Sequence, residues 1–175
     1  MIDIPILETQ RLRLTALADR HFDDYAAMLA DAESTRFVGS GVPLDRMNAW
    51  RSMAMLLGHW RLRGFGMWAV ERREDDVFVG RVGLMYPEGW PSVELGWMLR
   101  PEQRGHGYAT EASLATLQFA WQQLRLKRVI SLVRDGNEAS DRVAKRLGGE
   151  FVESIDFHGG PTHVFAYYPP NRGEA

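Results

Sequence analysis

The stretch Arg100-Pro101-Glu102-Gln103-Arg104-Gly105-His106-Gly107-Tyr108-Ala109-Thr110-Glu111-Ala112 sets a glycine-rich, basic turn between two runs of different hydrophobic period. Residues 93–99 before it read as a strand. Leu114, Leu117, Trp121 and Leu124 after it recur at helical spacing. Gly105 and Gly107 let the backbone turn tightly and approach a ligand without Cβ clashes. The residues that follow open a helix whose first N–H groups point outward with partial positive charge, a setting that suits phosphate. Arg104 adds a full charge. Any fold for this chain has to contain the unit strand, phosphate-sized turn, helix.

Several phosphate-binding motifs share glycines, and spacing separates them. The Walker loop is excluded, because no Gly-Lys-Ser/Thr follows at the required distance. A dinucleotide fingerprint needs a third small residue in register, and Gly105-His106-Gly107 lacks the third glycine. A Gly-x-Gly pair alone also fits an ordinary strand-to-helix connection. What remains, Arg104-x-x-Gly107-x-Ala109, resembles the pyrophosphate-binding signature Gln/Arg-x-x-Gly-x-Gly/Ala of the GNAT superfamily of acyl-CoA-dependent N-acyltransferases.

Further segments carry the same resemblance in the same order, over residues 7 to 168. Leu7-Glu8-Thr9-Gln10-Arg11-Leu12-Arg13-Leu14 is similar to the opening strand of the branch typified by ribosomal-protein N-terminal (alanine/serine) acetyltransferases. Phe78-Val79-Gly80-Arg81-Val82-Gly83-Leu84 and Glu94-Leu95-Gly96-Trp97 resemble that branch's third and fourth strands. Asn137-Glu138-Ala139-Ser140 with Leu147-Gly148 resembles its fourth helix.

A pass along the chain places these pieces. Residues 11–17 alternate as a strand, and Asp19 is in position to cap a helix reaching Ala30. A second helix is expected over 44–61, with Met47, Trp50, Met53, Leu57 and Trp60 near helical period and the glycines at 64 and 66 stopping it. Residues 67–72 and 77–85 read as a hairpin, and Pro87, Gly89 and Pro91 mark a loop before the strand at 93–99. A helix over 108–124, a strand over 128–133 and a short helix from Asn137 to Gly148-Gly149 follow. A hairpin over 151–157 and 163–168 closes the chain, and residues 171–175 read as a loose tail. This order gives an α/β sheet protein of mixed strand direction. The resemblance implies one N-acetyltransferase domain over 1–175: a mostly antiparallel sheet of about seven strands, four helices and a splayed central strand pair. The pantetheine arm of the cofactor is expected in that splay, against the strand at 93–99, where Gly96 suits a bulge or a close backbone approach.

Composition bounds the partners. The 175 residues fit one domain, and 45% hydrophobic with 25% charged is ordinary for a globular chain. A net charge of −2 argues against general nucleic-acid or anionic-membrane binding, so the arginines near residue 100 read as a local site. No run of about 18 apolar residues exists, and Asp3 and Glu8 replace the basic start of a signal sequence, which gives the expectation of a cytoplasmic protein. With no cysteine, thiolate zinc sites and a cysteine nucleophile are excluded. The histidines His21, His59, His106, His158 and His163 show no metal-binding spacing, and no metal is expected.

The resemblance implies acetyl-CoA as co-substrate. It places Trp97, Met98, Leu99, Arg104, Gly105, His106, Gly107, Tyr108, Ala109, Thr110, Asn137 and Ser140 on the cofactor, with a backbone N–H near Met98 or Leu99 as oxyanion donor. Because acetyl-CoA is already an activated thioester, the protein has to position an amine, keep it neutral and stabilise the developing oxyanion. Glu94 is the candidate base, directly or through water, although a strand glutamate equally suits solvent or an arginine. His163 and His158 are its rivals. Asn137 is first an N-cap, with Ala139, Val143 and Leu147 as the buried face of its helix. Many family members carry a tyrosine seven residues later to protonate the leaving thiolate; here that position is Ala144, which leaves Ser140 as the substitute.

The acceptor stays open: a protein N-terminus, a free amino acid, a polyamine or an antibiotic amine. Among these a peptide α-amine is favoured, and Tyr86 with Trp90 are candidates to line its pocket. A homodimer is compatible with the reading. The alternative from another class is an acyl-CoA-binding regulatory or interaction module without turnover.

Overall fold

The computed structural model describes residues 3–170; the tail expected over 171–175 lies outside them. The chain runs β1 (Leu7–Glu8), β2 (Leu12–Thr15), a 3-10 turn (Asp19–His21), α1 (Phe22–Ala30), α2 (Ala32–Thr35) and α3 (Arg46–Arg63). Then come β3 (Met67–Arg72), β4 (Phe78–Met85), β5 (Glu94–Leu99), a 3-10 turn (Pro101–Gln103), α4 (Tyr108–Gln122), β6 (Val129–Arg134), α5 (Glu138–Arg146), β7 (Glu150–Asp156) and β8 (Pro161–Tyr167). The strands form one sheet in the order β1-β2-β3-β4-β5-β6-β8-β7, antiparallel except where β5 and β6 run parallel through the α4 crossover.

Eight strands stand where about seven are expected, because residues 7–14 fold back on themselves. Leu7 pairs with Leu14, and the Thr9 hydroxyl ties off the turn by accepting from Leu12 N–H at 3.0 Å. Five helices stand where four are expected. The extra one, α2, is a single turn capped by Asp31, whose carboxylate accepts from Ser34 N–H at 2.7 Å. Asp19 caps nothing: His21 Nδ1 instead accepts from Ala18 N–H at 3.1 Å.

Both faces of the sheet are covered. One packs on α1 and α3 through Tyr25, Met28, Met53, Leu56, Met67, Phe78, Met85 and Met98. The other packs on α4 and α5 through Leu12, Trp68, Val82, Leu84, Leu95, Ala112, Leu117 and Ala144. The helical stripes differ in phase from the expected ones. On α3 the buried set is Ala49, Met53, Leu56, His59 and Trp60, while Met47 and Trp50 are each 58% exposed. On α4 the buried set is Tyr108, Ala109, Ala112, Ser113, Thr116, Leu117 and Ala120, with Leu114 exposed, because small residues along most of this face let the helix sit close on the sheet. On α5 only Ala144 is buried, with Leu147 just beyond it, since Ala139 and Val143 face a cleft.

Candidate functional site

The sheet opens at its centre for a local reason. β5 pairs with β4 along its whole length but meets β6 only at Glu94 opposite Ile130. Arg100 N–H donates to Val79 C=O at 3.0 Å, which sets the phase of the ladder: the N–H groups of Gly96 and Met98 turn toward β4, and the backbone of Leu95, Trp97 and Leu99 turns toward β6. Two side chains confirm that side, since Ser131 Oγ donates to Leu95 C=O at 2.7 Å and Arg104 Nε to Leu99 C=O at 3.3 Å. Leu132 N–H, next in line to continue the β6 ladder, lies close enough to the Glu94 carboxylate to favour its ionised form. The strands part there and leave Trp97 backbone and Leu99 N–H without a strand partner, groups that an amide-rich arm can satisfy. Of the two expected oxyanion donors, Met98 N–H is committed to β4, and Leu99 N–H faces the wedge. Gly96 makes no bulge, as the β4–β5 register is regular; a Cβ there would stand 2.9 Å from Met67 Cε.

On one side of the wedge lies a cleft of about 490 Å³. Trp97, Met98, Leu99, Arg104, Gly105, Gly107, Tyr108, Ala109, Thr110, Asn137 and Ser140 all line it. Gly107 is the N-cap of α4 at φ +80° with no side-chain cap, so the first N–H groups of the helix stay open to a ligand. Gly105 lies at φ +81°, and a Cβ there would meet no protein atom within 4 Å. This cradle, with Arg104 beside it, fits a pyrophosphate. His106 departs from expectation: its ring stacks on Tyr108 at 5.5 Å, its carbonyl accepts from Arg11 Nη1 at 3.0 Å, and it does not line the cleft. Sequence reading missed Arg142 and Arg146, which line the same cleft one turn apart on α5. Their i, i+4 spacing, just downstream of Asn137, was the available signal.

On the other side lies a cavity of about 330 Å³, at the small end of ligand pockets. Glu94 lies in its wall, accepting from Trp90 Nε1 at 2.5 Å. Burial pushes its pKa up to about 7, against the opposing pull of the Trp90 hydrogen bond, the Leu132 N–H and the Arg81 charge. Glu94 is half-buried rather than sealed from solvent, and a carboxyl group titrating near neutrality suits proton transfer. Trp90 packs edge-on against Phe157 and His158 at 5.1 Å each, and all three line the cavity. Tyr86 does not: Arg63 stacks over its ring at 5.0 Å, and its N–H donates to His59 Nε2 at 2.8 Å. His163 is also outside the lining, held 3.6 Å from both Asp135 and Asp141.

The two spaces share Phe37, Val38, Trp97, Asn137 and Ser140. Ser140 Oγ accepts from Trp97 Nε1 at 3.2 Å, and its backbone N–H donates to Asn137 Oδ1 at 3.2 Å. The hydroxyl proton is therefore free to be donated elsewhere. Ala144 is fully buried in the main core. Among the described residues no cluster of three His, Cys, Asp or Glu could hold a metal ion, and no helix is long and apolar enough to cross a membrane.

The comparisons with known proteins agree with this geometry. A family model described as Acetyltransferase (GNAT) domain matches residues 11–150, and the chain belongs to that family. It is an acetyltransferase of the group that uses acetyl-CoA for N-acetylation. The crystal structure of an acetyltransferase from Agrobacterium tumefaciens str. C58 superposes with a TM-score of 0.86 at 31% identity, over 97% of each chain. The uncharacterized N-acetyltransferase YoaA of Bacillus subtilis (strain 168) is 27% identical over 96% of this chain and 99% of its own. RimL, a ribosomal L7/L12 alpha-N-protein acetyltransferase solved in complex with coenzyme A, shares the fold with a TM-score of 0.79 at 14% identity, over 94% of this chain and 98% of its own.

Proposed function

We propose that the chain is a cytoplasmic enzyme that transfers acetyl from acetyl-CoA directly to a primary amine in a ternary complex, with a peptide α-amine as the favoured acceptor. The carrying observation is that cleft and cavity meet at Trp97, Asn137 and Ser140, so an amine entering one side reaches a thioester seated in the other. A chain with no cysteine supports direct attack. Glu94 takes the amine proton, directly or through water. Leu99 N–H stabilises the developing oxyanion. Ser140, already accepting from Trp97, donates a hydrogen bond to the departing thiolate, which takes its proton from solvent.

The acceptor preference follows from acid–base chemistry. An α-amine with pKa near ~8 needs about 2 units less help than a lysine near ~10.4, a difference of about 3 kcal/mol at pH 7. The acetylation of a peptide with a free N-terminus, measured against the same peptide blocked at its α-amine but bearing lysine, tests this. Acetylation confined to lysine refutes the preference. Acetyl-CoA binding without CoA release from any amine refutes the enzyme and leaves a binding module.

A further inference from the structure

The acceptor cavity holds a second charged group that the transfer chemistry does not use. Arg81 lines it from β4, and its buried Nε has no hydrogen-bond partner among the described residues. Arg81 also stands in no ion pair there, in contrast to Arg13, Arg72 and Arg100, which all lie against carboxylates. Arg134 lines the same cavity and spends its Nη2 on the carbonyls of Gly39 and His158, at 3.3 and 3.2 Å. Neither arginine is matched by an acid. The one carboxylate in the lining is Glu94, which is only partly ionised near pH 7.

Register places Arg81 and Glu94 on one face of the sheet. Arg81 is opposite Met98, Glu94 is opposite Met85, and the row between them is Gly83 opposite Gly96. Neither glycine puts a side chain between base and guanidinium; the Met67 methyl fills the space over Gly96, where an added Cβ would stand 2.9 Å from it. The rows are roughly 13 Å apart at the Cα atoms, four residues of strand. Across that distance the Arg81 charge still favours the ionised form of Glu94.

We infer that Arg81 is an anchor for the acceptor's carboxylate, so that the preferred substrate is a primary amine carrying an acidic group a few bonds away. A guanidinium takes a carboxylate with paired, charge-assisted hydrogen bonds, which fixes the orientation of the molecule that bears it. With the acid held at Arg81, the amine of the same molecule falls beside Glu94. Multiply cationic acceptors, such as polyamines and aminoglycoside-type amines, meet two unneutralised arginines and are disfavoured. The required chemistry is present in a free acidic amino acid and in a peptide whose first residues are acidic.

This inference rests on the acetyltransferase reading, and one panel separates their failures. CoA release is followed with glutamate, its diamide, spermidine, an amidated peptide beginning Ala-Glu and the same peptide beginning Ala-Gln. The expected result is a kcat/KM at least about tenfold higher for the acidic member of each pair, and which pair responds identifies free amino acid or peptide. Arg81→Met should remove that gap by raising KM about tenfold for the acidic acceptor alone, with acetyl-CoA affinity by calorimetry unchanged. Arg81→Glu should turn the preference toward spermidine. Equal turnover of acidic, neutral and cationic members, or an Arg81→Met loss that is uniform across them, overturns the anchor. No CoA release from any member overturns the enzyme reading and the anchor with it.

Discussion

The cleft proposed for the cofactor and the cavity proposed for the acceptor face each other across one strand but are built in opposite ways. The cleft is made of three short stretches of chain: residues 97–110, which give about half of its lining, residues 137–146 at the start and along α5, and residues 33–38. It presents backbone: the open start of α4 above Gly105 and Gly107, and the unpaired side of β5. The cavity is assembled from α1, the loop after α2, α3, β3, β4, the β4–β5 loop, β5, β6, the start of α5 and the tip of the β7–β8 hairpin, and it presents side chains. A ligand read by backbone needs a fixed local conformation, which leaves a spacing of glycines in the sequence. A ligand read by side chains from so many places leaves no such spacing.

The sharpest way to break the cofactor half is Gly107→Trp. A Cβ there would stand 3.6 Å from Arg11 Nη2 at a φ of +80° that non-glycine residues rarely adopt, so a bulky side chain distorts the turn that opens α4 and acetyl-CoA affinity should fall at least about a hundredfold, roughly 3 kcal/mol. Unchanged affinity by calorimetry, with the circular dichroism of the fold intact, would move the cofactor elsewhere.

The acceptor half is tested at Glu94. Glu94→Gln should lower kcat about a hundredfold at pH 7, and the deficit should shrink toward pH 9 as the amine loses its proton unaided. Wild-type activity should fall as pH drops below about 7, where the carboxylate protonates. Stability should run the other way. The folded chain holds this proton up to about 7 and the unfolded chain only up to about 4.5, so ionisation between those values costs the wild type stability that Glu94→Gln keeps. Thermal melts should show the variant gaining on wild type as pH rises from 4.5 to 7. A constant Tm difference across that range would contradict the buried, ionising carboxyl.

Ser140→Ala sits on the boundary of the two spaces and should cost less, about threefold to tenfold in kcat, because a thiol of pKa about 8.5 already leaves readily. Full turnover with weakened acetyl-CoA binding would assign the hydroxyl to binding instead. The smallest effect belongs to His163→Ala, expected within about twofold of wild type, since that ring lies outside both linings between two aspartates. A large drop in kcat there would reinstate it as the base.

The order of elements from residue 11 onward, the phosphate-sized turn, and the pairing of residue 94 with a cofactor-facing strand were all legible in the sequence. Each depends on local period or on glycine at fixed offsets, which neighbours along the chain decide. The short β1–β2 reversal, the single-turn α2 and the phases of α3 and α4 were not. Those depend on what packs above each residue: Ala112, Thr116 and Ala120 face the sheet because the sheet is close, and no periodicity of large side chains records that. The same limit holds at the site. Glu94 could be named as a carboxylate on the right strand, but its raised pKa and the parting of β5 from β6 require β6 beside it. His158 and His163 are five residues apart on one hairpin, and only the tertiary structure puts one in the cavity and the other outside. Sequence determined which backbone conformations the chain adopts. Burial, desolvation and the meeting of distant charges such as Arg81 and Glu94 act through space, and the folded structure alone decided them.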